Sequence, residues 1–219
     1  MQTSSYRLGD LMGGWMGDDE KQQILDSYPK SIGAQVIRNW KQDWLERLRF
    51  ISELVRDRIS DKSEPCTVVH VRLGDVFGGE EWYALAKRPI DVDVLVKSCP
   101  PVLPVQLIGK QHFCTTHATL NMDSVDKSQQ YMKSVLDALH ATHYDGGDAD
   151  ADLCKAVGAI RFVAGKGHFS ALILAIRQYM GKGSTIPHRG ALCCCGTAGH
   201  LKVCTMPLRS RLSEGLLVV

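Results

Sequence analysis

Long apolar runs are absent from this 219-residue sequence. The longest, Ala171 to Ile176, is far short of the ~20 residues that a bilayer-spanning helix needs, so no membrane segment is expected in this chain. Met1 to Gly17 is mixed and Gly-rich, without the basic-then-apolar order of a secretory leader. An excess of one charge is missing as well. Lys and Arg number 26 against 24 Asp and Glu, which argues against the concentrated basic face that nucleic acid demands, and nucleic acid is not an expected partner. Because 44% of residues are hydrophobic and 23% charged, the composition is globular rather than disordered or fibrous.

Several chemical signatures are also missing. Gly181-Lys182-Gly183-Ser184 does not make a P-loop, because Ile176 stands where its first glycine belongs, and Gly165-Lys166 fails in the same way with Ile160. The acids Asp148, Asp150 and Asp152 begin like a calcium loop. Leu153 and Ala159 then occupy the positions that need Gly and Glu, so these acids suit the start of a helix instead. No Gly-x-Ser-x-Gly elbow occurs. Cysteine is unevenly spread: four of eight lie at 66, 99, 114 and 154, and four crowd into 193, 194, 195 and 204. Three adjacent cysteines beside His200 and Cys204 lack the two-to-four-residue spacing of a structural zinc site. With four basic residues and one acid, residues 188–219 read as a poorly ordered, Cys-rich tail.

What is present alternates. Ile37, Trp40, Trp44, Leu48, Ile51, Val55 and Ile59 form one apolar stripe, which predicts a single helix over residues 35–59. Residues 1–34 offer few periodic cues. The β-branched run 66–73, bounded by Pro65 and Gly74, reads as a strand. Strands are also expected over 102–108 and 159–164, and helices over 125–140, 152–159 and 170–180. This alternation predicts an α/β fold, a Rossmann-like parallel sheet with helices on both faces. Three parts follow: 1–62, a loop and amphipathic helix; 63–187, the α/β domain; and 188–219, the tail.

In such a sheet, ligands gather beyond the carboxyl ends of the strands. His70 and Arg72 are two apart and share a face of their strand, opposite Val69, Val71 and Leu73. A guanidinium late in an apolar strand needs an anionic partner. A phosphate answers this, and so does a structural salt bridge to Asp75 or another acid. The run Gly165-Lys166-Gly167-His168-Phe169-Ser170 passes from strand to helix. It has the form of a phosphate cradle, with Ser170 capping the helix or donating to an anion, and equally of an ordinary α/β connection.

Together, His70-Val71-Arg72-Leu73-Gly74-Asp75 and the segment from Asp150-Ala151-Asp152 through Phe162-Val163 to Gly167-His168-Phe169-Ser170 resemble two ordered motifs of the fucosyltransferase superfamily, which includes the α-1,2-, α-1,6- and protein O-fucosyltransferases. The first matches the superfamily's H-x-R-x-x-D signature. The resemblance covers about residues 66–187. It implies the C-terminal, donor-binding half of a GT-B glycosyltransferase, an inverting transfer of fucose from GDP-fucose to a glycan or protein hydroxyl, and no metal cofactor. By that resemblance Arg72 stabilises the leaving diphosphate, His70 lies beside the nucleotide and Asp152 accepts from its base or ribose. Gly165, Gly167, His168, Phe169 and Ser170 wrap the phosphates. Glu80, or its neighbour Glu81, is the candidate general base. The stretch 1–62 is too short for a GT-B acceptor half. The alternatives are therefore an enzyme whose acceptor half is supplied from elsewhere, a non-catalytic nucleotide-sugar-binding remnant or truncated product, and a purely structural α/β domain.

Overall fold

A computed structural model describes Leu8, Leu11 and residues 16–59, 65–77, 88–112 and 122–187. Glu80, Glu81 and the Cys-rich tail lie outside the described residues. Three helices come first: α1 (Asp18–Ser27), α2 (Ile32–Arg38) and α3 (Trp44–Arg56). Then follow β1 (Thr67–His70), β2 (Leu73–Gly74), a short 3-10 turn (Asp75–Phe77), α4 (Val92–Ser98), β3 (Val105–Ile108), β4 (Gln111–His112) and α5 (Met122–Leu139). The series ends with β5 (Thr142–His143), α6 (Ala149–Gly158), β6 (Arg161–Val163) and α7 (His168–Tyr179).

The fold is α/β. Four strands make an all-parallel sheet in the order β5-β3-β1-β6, and Thr185 adds a parallel bridge beside Val163. All four residues of β1 are buried, as the central strand of a parallel sheet covered on both faces requires. Side chains alternate across the sheet. Val68, Ile108 and Phe162 pack with α1–α3, α6 and α7, whereas Val69, Leu107 and Val163 pack with Leu95 of α4 and Val135 of α5. The first three helices thus share one core with the sheet, which Leu8, Leu11, Ile24 and Ile32 join directly.

The stripe over 35–59 is two helices, not one. Asn39 ends α2, and Asp43 starts α3 by accepting a hydrogen bond from the Glu46 backbone N–H at 3.0 Å. That Asp-x-x-Glu pattern is a capping signal, overridden in the sequence reading by apolar residues that keep their period across the break. Trp40 and Trp44 flank the buried Arg47, whose guanidinium lies 4.4 and 5.5 Å from their ring centroids. They pack the structure, as expected of large rings on an apolar stripe.

A second buried arginine closes the lower pole of the sheet. Arg177 is fully buried near the end of α7. Its guanidinium donates to the carbonyls of Ala156, Val157, Ala159, Ile160 and Gly183 and to the Ser184 hydroxyl. Several of those oxygens belong to the C-terminal end of α6, where orphan carbonyls and the helix dipole favour a cation. Burial lowers its pKa to about 10, so it remains charged at neutral pH. Replacing Arg177 by Met strands these acceptors in the interior, and each unsatisfied group costs about 1–3 kcal/mol. The expected loss of stability is about 3–5 kcal/mol by urea unfolding; a loss below about 1 kcal/mol would show the carbonyls re-satisfied by water.

Candidate functional site

The chain lays down β1, moves outward through β3 and β5, then crosses back to place β6 on the other side of β1. The strand order reverses between β1 and β6, and at such a switch point the loops diverge and leave a crevice beyond the carboxyl ends. His70 ends β1, and residues 164–167 lead from β6 into α7. The sheet topology therefore brings the two sequence-flagged segments to the same crevice.

They meet closely. A Cβ built on Gly165 would lie 2.4 Å from the His70 carbonyl oxygen and 2.8 Å from its Nδ1, so only glycine lets the turn pass there. His70 Nδ1 and Ser170 Oγ are 2.6 Å apart, and the Phe169 ring meets the imidazole edge-on, with centroids 5.4 Å apart. Ser170 is fully buried and His70 is 9% exposed. Burial first, and the Arg72 charge second, lower the His70 pKa to about 3, so the imidazole is neutral throughout the physiological range.

Arg72 touches the same turn. The Cβ that Gly167 lacks would fall 2.7 Å from Arg72 Nη1. Gly167 has a φ of +100° and is the N-cap of α7, and as a glycine it supplies no side-chain cap to that helix end. Ser170, an expected cap, lies in the first turn and faces His70 instead. A half-buried guanidinium therefore sits against the positive end of a helix. Both present positive charge, so an anion placed between them would be attracted by each. Lys166 in the turn is half-buried, and His168 is exposed.

Asp152 lies at the same pole in a neighbouring cluster. It is 6% exposed, accepts a 3.3 Å hydrogen bond from the Gly146 N–H, and has Lys110 Nζ 3.8 Å from its carboxylate. Burial raises its pKa, and Lys110 and the Gly146 N–H counter that. The sequence reading did not include Lys110. The available signal was a cation directly after the strand-ending Ile108-Gly109, where a Cβ on the glycine would lie 2.7 Å from the Val71 carbonyl oxygen. The neighbouring acids are committed to the fold: Asp148 caps α6 through the Ala151 N–H, and Asp150 accepts from the Ile32 N–H and pairs with Arg58. A cleft of about 490 Å³ at the start of α6 is lined by Tyr28, Lys30, Arg58, Asp148, Asp150 and Cys154, and by none of His70, Arg72, Asp152 or residues 165–170.

Thus His70, Arg72, Gly165, Gly167, Phe169 and Ser170 form one constellation, with Asp152 beside it on α6. Among the described residues no group of three or more His, Cys, Asp or Glu side chains could hold a metal ion, and no helix is long and apolar enough to cross a membrane. Comparison with protein-family models, with curated proteins and with solved structures finds no match to this chain.

The His70 environment has a consequence for stability. The unfolded imidazole takes up its proton near pH 6.5 and the folded one only near pH 3. Between those values the unfolded chain binds more protons, so the contribution is complete above pH 6.5 and drains away as pH falls toward 3. Urea midpoints at pH 7.0 and 4.5 are expected to show a drop in wild type that is markedly smaller in His70→Gln. Equal drops in the two proteins would mean that His70 is protonated in the fold.

Proposed function

We propose that the crevice between β1 and β6 binds the diphosphate of a nucleotide-sugar donor. We further propose that the chain is the donor-binding half of a fucosyltransferase-like glycosyltransferase, with GDP-fucose as donor and a glycan or protein hydroxyl as acceptor. The observation that carries the reading is the Arg72 guanidinium set against Gly167, the glycine N-cap of α7. A fork of N–H donors, a helix-end dipole and a glycine turn at a topological switch point converge there, and their shared complement is a phosphate chain.

In this reading Arg72 and the first-turn amides of α7 stabilise charge that accumulates on the leaving diphosphate as the glycosidic bond breaks. This is electrostatic work done by the chain's own groups, and no metal cofactor is invoked. His70, neutral and wedged by Phe169, holds one edge of the crevice. Asp152, lying above the end of β3, suits an N–H or hydroxyl of the base or ribose. Inversion at the sugar also requires a base for the acceptor hydroxyl, the role proposed for Glu80.

Titration calorimetry with GDP and GDP-fucose tests the reading. Wild type is expected to bind both, and Arg72→Ala to lose about 2–5 kcal/mol of binding free energy. A wild-type protein that binds no nucleoside diphosphate would sink the proposal.

A second reading, a nucleotide-sugar-binding remnant without transfer, draws on the N-terminal helices. Among the described residues before β1 there are helices packed into the donor sheet's own core and no strand, whereas a GT-B acceptor half brings a sheet of its own. Release of GDP from GDP-fucose, measured with and without candidate acceptors, separates the two. Turnover lost in Arg72→Ala supports the enzyme, and binding without any turnover supports the remnant.

A further inference from the structure

We propose that Ser170 is a positioning residue that locks His70 as the Nε2–H tautomer, so that the imidazole serves as a neutral, one-directional hydrogen-bond donor beside Arg72 for an anionic oxygen of the bound diphosphate. The binding half of this inference rests on the functional reading above; the tautomer itself does not.

The direction of the His70–Ser170 hydrogen bond follows from satisfying buried groups. Ser170 is fully buried, and among the described residues its hydroxyl makes one hydrogen bond, the 2.6 Å contact with His70 Nδ1. Were Nδ1–H to donate to Oγ, the hydroxyl proton would be left buried without an acceptor. The reverse arrangement satisfies that proton and leaves only spare lone pairs, a smaller penalty. Ser170 Oγ–H therefore donates to Nδ1, and the ring's one proton resides on Nε2. The other partner of Nδ1 is steric: the missing Cβ of Gly165 would lie 2.8 Å from it, so the turn presses on the same edge. With Phe169 packed edge-on against the ring, rotation that would exchange the two nitrogens is blocked.

Neutrality is enforced separately. Burial of the ring is the larger cause, and the charge of Arg72 adds to it. An imidazole that cannot gain a proton and cannot present a lone pair at Nε2 offers an anion one kind of contact. The alternative tautomer would aim a lone pair at a phosphate oxygen and repel it. This also reassigns Ser170. The resemblance implies that it wraps the diphosphate, whereas full burial and the Nδ1 contact place it behind the histidine, acting through it.

Two measurements test the inference. Nitrogen NMR of ¹⁵N-imidazole-labelled, ligand-free protein reads the tautomer directly, the His70 signals being assigned by their loss in His70→Gln. Expected are a pyrrole-type Nε2 and a pyridine-type Nδ1 that do not titrate between pH 5 and 8. A protonated Nδ1, or titration inside that window, overturns the proposal whether or not the protein binds a nucleotide. The second is GDP affinity in a double-mutant cycle of Ser170→Ala with His70→Gln. Ser170→Ala alone is expected to weaken binding about tenfold. In the His70→Gln background, where the amide donates regardless of residue 170, the same change should have almost no effect. Equal losses in both backgrounds make Ser170 a direct ligand contact and overturn the positioning role. Should wild type bind no nucleoside diphosphate, the functional reading and the proposed donation to phosphate fall together, while the NMR result still decides the tautomer.

Discussion

No side chain fits at residue 165, because the turn after β6 crosses the end of β1 within contact of the His70 carbonyl and ring. Everything at the crevice depends on that approach. It brings Ser170 within 2.6 Å of His70, sets Phe169 against the imidazole edge and carries Gly167 to the Arg72 guanidinium. A methyl group at 165 would push the turn away and separate the two segments that compose the site. The same closeness dehydrates His70, which is why its pKa falls to about 3.

Two arginines illustrate how helix ends decide a cation's role. Arg177 meets the carbonyl end of α6, where partial negative charge and spare acceptors surround it, and its hydrogen-bonding capacity is met by the fold itself. Arg72 meets the amide end of α7, where the field is positive. The first arrangement is self-sufficient and structural. The second sets a cation beside a helix N-terminus, a field that favours an anion, and the functional proposal starts from that geometry. Asp150 works in a third way, holding the start of α2 and Arg58 together so that the N-terminal helices stay fastened to α6.

Much of the fold was legible. The continuous β-branched run of β1 marks a strand buried on both faces, and the helical stripes before and after β6 mark its covering helices. The misses have local causes. The break between α2 and α3 was hidden because Ile37, Trp40 and Trp44 keep their period across it, although Asp43 and Glu46 carry a capping pattern. The two residues of β5 are exposed and too short to show alternation. The seven residues of α4 follow the N-cap Asp91, whose side chain accepts from Asp93 N–H, and complete too few turns for a stripe to emerge. Lys110 passed unnoticed because its significance depends on Asp152, forty-two positions away.

The sequence by itself determined the elements and their chemistry: an alternating α/β chain, a histidine at the end of a buried strand with an arginine two residues on, and a glycine turn leading into a helix. These follow from side-chain periodicity and backbone freedom, which are local properties. The single strand expected over 66–73 is instead β1 and β2, with Arg72 between them. Only the tertiary structure decided what those groups mean to one another. It set the strand order that puts β6 beside β1, the 2.6 Å pairing of His70 with Ser170 across a hundred residues, and the meeting of Arg72 with the end of α7. Such relations come from strand order and burial, which no short window of sequence contains, because the packing of the whole sheet selects which distant segments share an edge.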